Sequence, residues 1–228
     1  SQRIIYGESR QFTSRLITVS ETFNREYYVK ADYPYGDKPL LPVLKQNYEA
    51  TIPTENYDYH LMRSVFVERA NFDRTVKMTV SSQEWCGITT KEYQLWGASG
   101  KQIYLSYWDG EGSGERPIDA SPNTFFEEEL FLLLRGLPFE GGLEASFQLY
   151  PNQTTNKAPK PSPAPAQLIV EEAKGEQGGW KVRVEVADGR ELEYVYKAGY
   201  PHVLRQFQHS DGRKLDLQQV ERDAYWIR

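Results

Sequence analysis

The chain has 228 residues, of which 39% are apolar and 14% aromatic, with 16 tyrosines. That length builds one large β domain or two small ones with a sizeable core, and the aromatic excess favours strands, on whose pleated surface such side chains pack well. Its 27 basic and 32 acidic residues give a net charge of -5 without a basic stripe, which argues against a nucleic-acid partner. No apolar run approaches the ~18 residues of a membrane-spanning helix.

The chain begins Ser1-Gln2 and reads as a mature or trimmed form from which any export signal has been removed. Its lone Cys86 has no internal disulfide partner and reads as a packed, inert thiol between Trp85 and Gly87.

In chain order, runs of aromatic and β-branched residues predict strands at 10–19, 21–30, 61–69, 74–82, 89–96 and 101–108. Gly97-Ala98-Ser99-Gly100 joins the last two as a hairpin. The strand at 101–108 carries bulk on both faces, as a strand does when it is covered on two sides or lines a cavity. A helix follows at about 124–135. Thr124 with Glu127 three residues on is a capping box, and Arg135-Gly136 supplies a basic end and a left-handed cap. Glu127, Glu128 and Glu129 favour the positive end of the helix dipole. As consecutive helical residues they fan out around the axis, which makes them a poor catalytic cluster.

The segment 157–166 holds four prolines and reads as an extended surface loop inside a single domain covering 1–228. The alternative is a pair of subdomains, 1–156 and 167–228. The C-terminal part is the most regular. Trp180, Val182, Val184 and Val186 alternate with charged residues, Leu192, Tyr194 and Tyr196 return, and further runs occupy 202–208 and 213–220. Asp188-Gly189 and Asp211-Gly212 supply type I′ turns, so the whole reads as an antiparallel meander.

Few motifs carry chemistry. His60, His202 and His209 stand at no ligand spacing, so no metal is assigned. His209-Ser210-Asp211 holds the residue types of a hydrolase triad, but neighbours in sequence cannot aim at one another, and surface polarity explains the run better. Gly110-Glu111-Gly112-Ser113-Gly114 lacks the Lys and helix of a phosphate loop and reads, with Asp109 and Glu115, as a solvated turn. No cofactor and no enzymatic activity are assigned. One constellation suits binding: Trp85, Tyr93, Trp96, Tyr104, Tyr107 and Trp108 concentrate in neighbouring strands. They line an apolar pocket for a lipid or other hydrophobic ligand, or form an ordinary aromatic core.

These elements predict a mainly β protein, a curved antiparallel sheet or open half-barrel with one packed α-helix. Gln83-Glu84-Trp85-Cys86-Gly87, the hairpin ending Ser106-Tyr107-Trp108, the helix ending Leu134-Arg135-Gly136-Leu137-Pro138, and the meander with Pro201 and Asp211-Gly212 add a resemblance over roughly residues 60–220. In that order they resemble an uncharacterised family of exported bacterial β-rich proteins, a domain of unknown function. That family is similar in outline to periplasmic lipoprotein carriers. The resemblance implies an extracytoplasmic protein, periplasmic or anchored as an outer-membrane lipoprotein through a Cys upstream of Ser1. It carries no catalytic residues. The function so implied is binding of a hydrophobic ligand or lipid on the curved sheet, and the alternative is a structural or protein-interaction module of the cell envelope.

Overall fold

The computed structural model describes residues 1–96, 99–174 and 178–224. Residues 97 and 98 of the predicted Gly97-Ala98-Ser99-Gly100 hairpin lie outside them. The chain opens with β1 (Gln2–Ile5), β2 (Glu8–Gln11), β3 (Ser14–Asn24), β4 (Val29–Lys30) and β5 (Leu40–Pro53). Next come β6 (Asp58–Glu68), β7 (Thr75–Glu84), β8 (Gly87–Trp96), β9 (Ser99–Leu105), β10 (Ser113–Asp119) and β11 (Thr124–Phe126). Helix α1 (Glu127–Leu133) leads through a 3₁₀ turn (Leu134–Gly136) to β12 (Glu144–Tyr150) and β13 (Ala164–Glu172). The meander supplies β14 (Trp180–Val186), β15 (Glu191–Tyr196), β16 (Leu204–His209) and β17 (Lys214–Asp216).

Two sheets form. The first runs β11-β12-β13-β14-β15-β16-β17-β1-β2, and the second β10-β9-β8-β7-β6-β5-β3-β4. Every pairing is antiparallel except β11 with β12. The second sheet curls into a half-barrel, so the protein is mainly β with one short helix, as the sequence pattern predicts.

The helix lies between the sheets. Leu130, Phe131 and Leu134 pack against Leu149, Val182, Tyr194 and Phe207 of the first sheet, while Leu132, beside Phe126, packs on Val65, Met78, Val80 and Tyr93 of the second. Each such buried side chain contributes about 1.5–3 kcal/mol. Seven residues would not hold a helix in water; enclosure on both sides does.

Four sequence expectations give way here. The helix starts at Glu127 with Phe126 as its cap residue and no side-chain cap, because Thr124 is drawn into β11 opposite Gln148. Stacking of Phe126 on Tyr150, at 4.5 Å between ring centres, fixes that entry and overrides the capping preference of Thr124. Gly136 is no left-handed cap. It sits in the 3₁₀ turn, where an added Cβ would stand 2.7 Å from the Phe72 ring, so close packing is what demands glycine. Neither Asp-Gly turn is type I′: only the glycines have positive φ (+91° at Gly189 and at Gly212), and each turn is closed by a bond from the glycine N–H to the carbonyl of Val186 or His209. These are three-residue hairpins with glycine in the left-handed position. Cys86 is exposed at the β7–β8 turn instead of packed.

The meander forms in the predicted strand order, but each hairpin pairs one residue away from where a two-residue turn would put it (Glu185 opposite Glu191, Gln208 opposite Lys214), and the last run is strand only over Lys214–Asp216. The prolines of 157–166 behave differently from a free loop, because Pro165 already lies in β13 opposite Gln148 and Ala158 is fully buried. The long β5 escapes sequence reading because Pro42 interrupts its pattern; it nevertheless pairs along its length with β3 and β6.

Gly136→Ala should lower stability by about 1–3 kcal/mol through overpacking, although alanine favours helix by about 1 kcal/mol. Chemical denaturation checks this, with Phe72→Leu as the background that relieves the clash. A loss that persists undiminished in that background would point to backbone strain instead.

Candidate functional site

Three consecutive carboxylates at the start of α1 are buried, Glu127 at 2%, Glu128 at 0% and Glu129 at 1% exposure. They do fan out around the axis, but with a sheet on either side every direction leads inward. Glu127 points at the two hairpin turns of the meander. Its Oε1 lies 2.6 Å from Arg190 Nη1 and its Oε2 2.8 Å from Arg213 Nη2. Both arginines follow Asp-Gly, and each also binds the aspartate two residues before it, Asp188 at 2.7 Å and Asp211 at 2.7 Å. The repeated Asp-Gly-Arg is therefore a device for delivering two guanidinium groups to one buried carboxylate.

His209 joins them, so its run with Ser210 and Asp211 is not surface polarity as the sequence suggested. Its ring is buried. When protonated it donates Nδ1–H to Asp211 Oδ1 at 3.0 Å and faces Glu127 Oε1 across 3.5 Å. When neutral its Nδ1 accepts the Asp211 backbone N–H at 2.9 Å. Burial by itself would raise the Glu127 pKa, but His209 and Arg213 hold it down to about 2. Burial likewise opposes charge on His209, and Asp211 and Glu127 more than offset it, so its pKa is raised.

Glu128 turns to the segment after β12, where its Oε1 accepts the backbone N–H of Gln153 (2.6 Å) and Thr154 (2.9 Å) and the Thr154 hydroxyl (3.0 Å). Glu129 faces Thr75 on β7. Its Oε1 has no hydrogen-bond partner among the described residues, and burial pushes its pKa up to about 8.

The segment 153–158 is a strap laid across the concave face of the half-barrel. Six successive carbonyls accept side-chain donors. Lys91 Nζ reaches those of Gln153, Thr155 (3.0 Å) and Lys157. Arg3 takes Thr154 (2.9 Å), Trp108 and Thr89 share Asn156 (2.8 and 3.0 Å), and Arg116 takes Ala158. Burial lowers the Lys91 pKa to about 8.

Above the strap the hairpin tips form an aromatic mouth. Trp85 stacks on Tyr57 (5.7 Å), Tyr57 meets Tyr59 (5.7 Å), and Tyr59 meets Tyr6 (6.4 Å). Tyr107 lies against Gly87, where a Cβ would strike its ring at 2.2 Å, and packs edge-on to Trp108 at 5.5 Å. Trp85 is 83% exposed, Tyr6 73% and Tyr107 55%.

The structure thus divides the six aromatics singled out in the sequence. Trp85, Tyr107 and Trp108 gather at the mouth. Tyr93 is buried beneath it, its hydroxyl donating to Gln153 Oε1 (2.7 Å) and accepting from Gln102 (2.9 Å). Tyr104 lies under the Arg116 guanidinium, 4.2 Å from its ring centre. Trp96 ends β8 opposite Ser99, and its side chain lies outside the described part. Sequence reading missed Tyr6, Tyr57 and Tyr59, which come from distant hairpins, and Lys91, Arg116 and Lys157, which nothing local marks.

Fold and site together define a two-sheet, mainly antiparallel β protein with an enclosed helix and an aromatic mouth. No protein-family model matches the chain, and no curated protein does. Among solved structures it is loosely similar to a DUF1089 family protein from Pseudomonas aeruginosa, at 12% identity over 71% of this chain and 82% of that one, with a TM-score of 0.44.

Glu129 makes a pH prediction. Its folded pKa is raised from 4.5 to about 8, so between those values the native state holds a proton that the unfolded chain releases, and stability falls as pH rises. Glu129→Gln should match the parent near pH 4.5 and exceed it by on the order of 3–5 kcal/mol above pH 8. Parallel denaturation curves across that range measure the difference, and parent and variant that track each other throughout would refute the assignment.

Proposed function

We propose that the protein is a non-catalytic binding protein that holds an apolar ligand, such as an acyl chain, on the aromatic mouth of its half-barrel. The carrying observation is the exposed Trp85 stacked on the half-buried Tyr57, with exposed Tyr6 beyond the buried Tyr59 on one side and exposed Tyr107 on the other. Tyr57 and Tyr59 join the core beneath, but Trp85, Tyr6 and Tyr107 stand exposed at three hairpin tips beyond it, and barrel mouths are favoured ligand sites. The curled sheet supports this reading by supplying three of the tips (β5–β6, β7–β8 and β9–β10), while the tip that carries Tyr6 comes from the first sheet. Since α1 fills the space between the sheets, the ligand lies at the mouth and not along the full concavity. The reading carries with it the extracytoplasmic location that the sequence resemblance implies.

A ligand that removes about 100 Å² of this surface from water gains about 2.5 kcal/mol there. Titration with 1-monopalmitoylglycerol should therefore shift tryptophan emission, and Trp85→Ala should weaken binding about tenfold or more. Native mass spectrometry of protein purified from its own host gives a second readout. Absence of both uptake and spectral shift would reject the ligand, leaving the exposed tips as a contact for another envelope protein.

A further inference from the structure

The rings of the mouth end at positive charge that no carboxylate neutralises. Lys157 holds its ammonium 3.4 Å from the Trp108 ring centre, Trp108 packs edge-on to Tyr107, and Tyr107 covers Gly87 in the turn that carries Trp85 with its stacked Tyr57. One residue on, Arg116 binds the Ala158 carbonyl and Gln102 Oε1 (2.6 Å) while lying over Tyr104. Beneath both, Lys91 is bound only by the carbonyls and the Thr155 hydroxyl of the strap. Among the described residues none of these three cations has a carboxylate within 4.0 Å. Arg190, Arg213, Lys45, Lys77 and Lys181 each stand within 3.1 Å of one, whereas the buried Arg63, like Lys157, lies over aromatic rings instead.

The acidic groups nearby are engaged elsewhere. Glu111 Oε2 accepts the Ser106 hydroxyl and the Ala158 N–H (2.8 Å), and Glu84 Oε1 accepts Asn156 Nδ2 (2.8 Å). Glu128 is occupied by the strap N–H groups. An apolar track that ends at an exposed, unpaired ammonium matches a molecule with a chain at one end and a negative head at the other.

We propose, on the basis of the ligand reading above, that the occupant of the mouth is a single-chain anionic amphiphile, a long-chain carboxylate. Its chain lies along Trp85 and Tyr57, and its head group sits against Lys157, with Arg116 behind. Lys157 is the head-group selector. It is exposed and makes no side-chain hydrogen bond that the fold depends on, so its replacement leaves the protein folded.

The test compares palmitate with 1-monopalmitoylglycerol, which has the same chain and no charge, by tryptophan fluorescence in low-salt buffer at neutral pH, where exposed charges are least screened. Palmitate should bind at least tenfold tighter. Lys157→Gln should bring palmitate to the level of the neutral ester and leave the ester unchanged, while Trp85→Ala weakens both. Equal binding of the two ligands with no effect of Lys157→Gln would overturn the anionic head group and leave the apolar site standing. Failure of both ligands to bind would instead remove the ligand reading on which the proposal rests.

Discussion

Three adjacent carboxylates on a helix enclosed between two sheets set the terms for the rest of this molecule. Moving an ionised carboxylate out of water carries a penalty of several kcal/mol even after relaxation, so each has to be met by charge, by hydrogen bonds or by a proton. Consecutive helical residues point about 100° apart, and each of the three finds a different answer. Glu127 takes two guanidinium groups and faces a histidine, Glu128 takes three N–H and O–H donors, and Glu129 keeps its proton to well above the usual carboxylate range.

Those answers tie the fold together, because each belongs to a different part of the chain. Glu127 fastens the β14–β15 and β16–β17 turns to the start of α1, so the meander is anchored at both hairpins by one residue. Glu128 fixes the strap, whose carbonyls then draw in Arg3 from the N-terminal strand and Lys91 and Arg116 from the half-barrel. Residues 153–158 lie outside both sheets, and side-chain donors satisfy their carbonyls instead of a ladder. The aromatic mouth rests on this arrangement, since Trp108 is held by the Asn156 carbonyl and Lys157 lies on the Trp108 ring.

What could be read in the sequence was what local periodicity encodes. Val182, Val184 and Val186 against Lys181, Arg183 and Glu185 gave a strand with one buried face, and Asp-Gly marked both turns, though not their type. The apolar run 130–134 disclosed a helix. Its starting residue was misplaced because pairing of β11 with β12 is a tertiary event that no capping pattern reports. Burial of Glu127, Glu128 and Glu129 was equally hidden: acidic residues in a first helical turn are ordinarily solvated, and only the second sheet makes all their directions interior. The one available signal was the Asp-Gly-Arg repeat at 188–190 and 211–213, which puts two arginines at equivalent places on neighbouring hairpins. For the site, Trp85, Tyr107 and Trp108 stood out by composition, while Tyr6, Tyr57 and Lys157 joined them only through folding.

The most direct measurement is a double-mutant cycle on Glu127→Gln and Arg213→Met, read by chemical denaturation at neutral pH. If the Glu127 pair organises the fold, each single replacement destabilises by about 3–5 kcal/mol, because it leaves a partner charge buried. The double variant then recovers part of that loss, with a coupling energy of about 2–3 kcal/mol. Single losses below about 1 kcal/mol, or effects that add to within about 0.5 kcal/mol, would contradict a central role for this carboxylate.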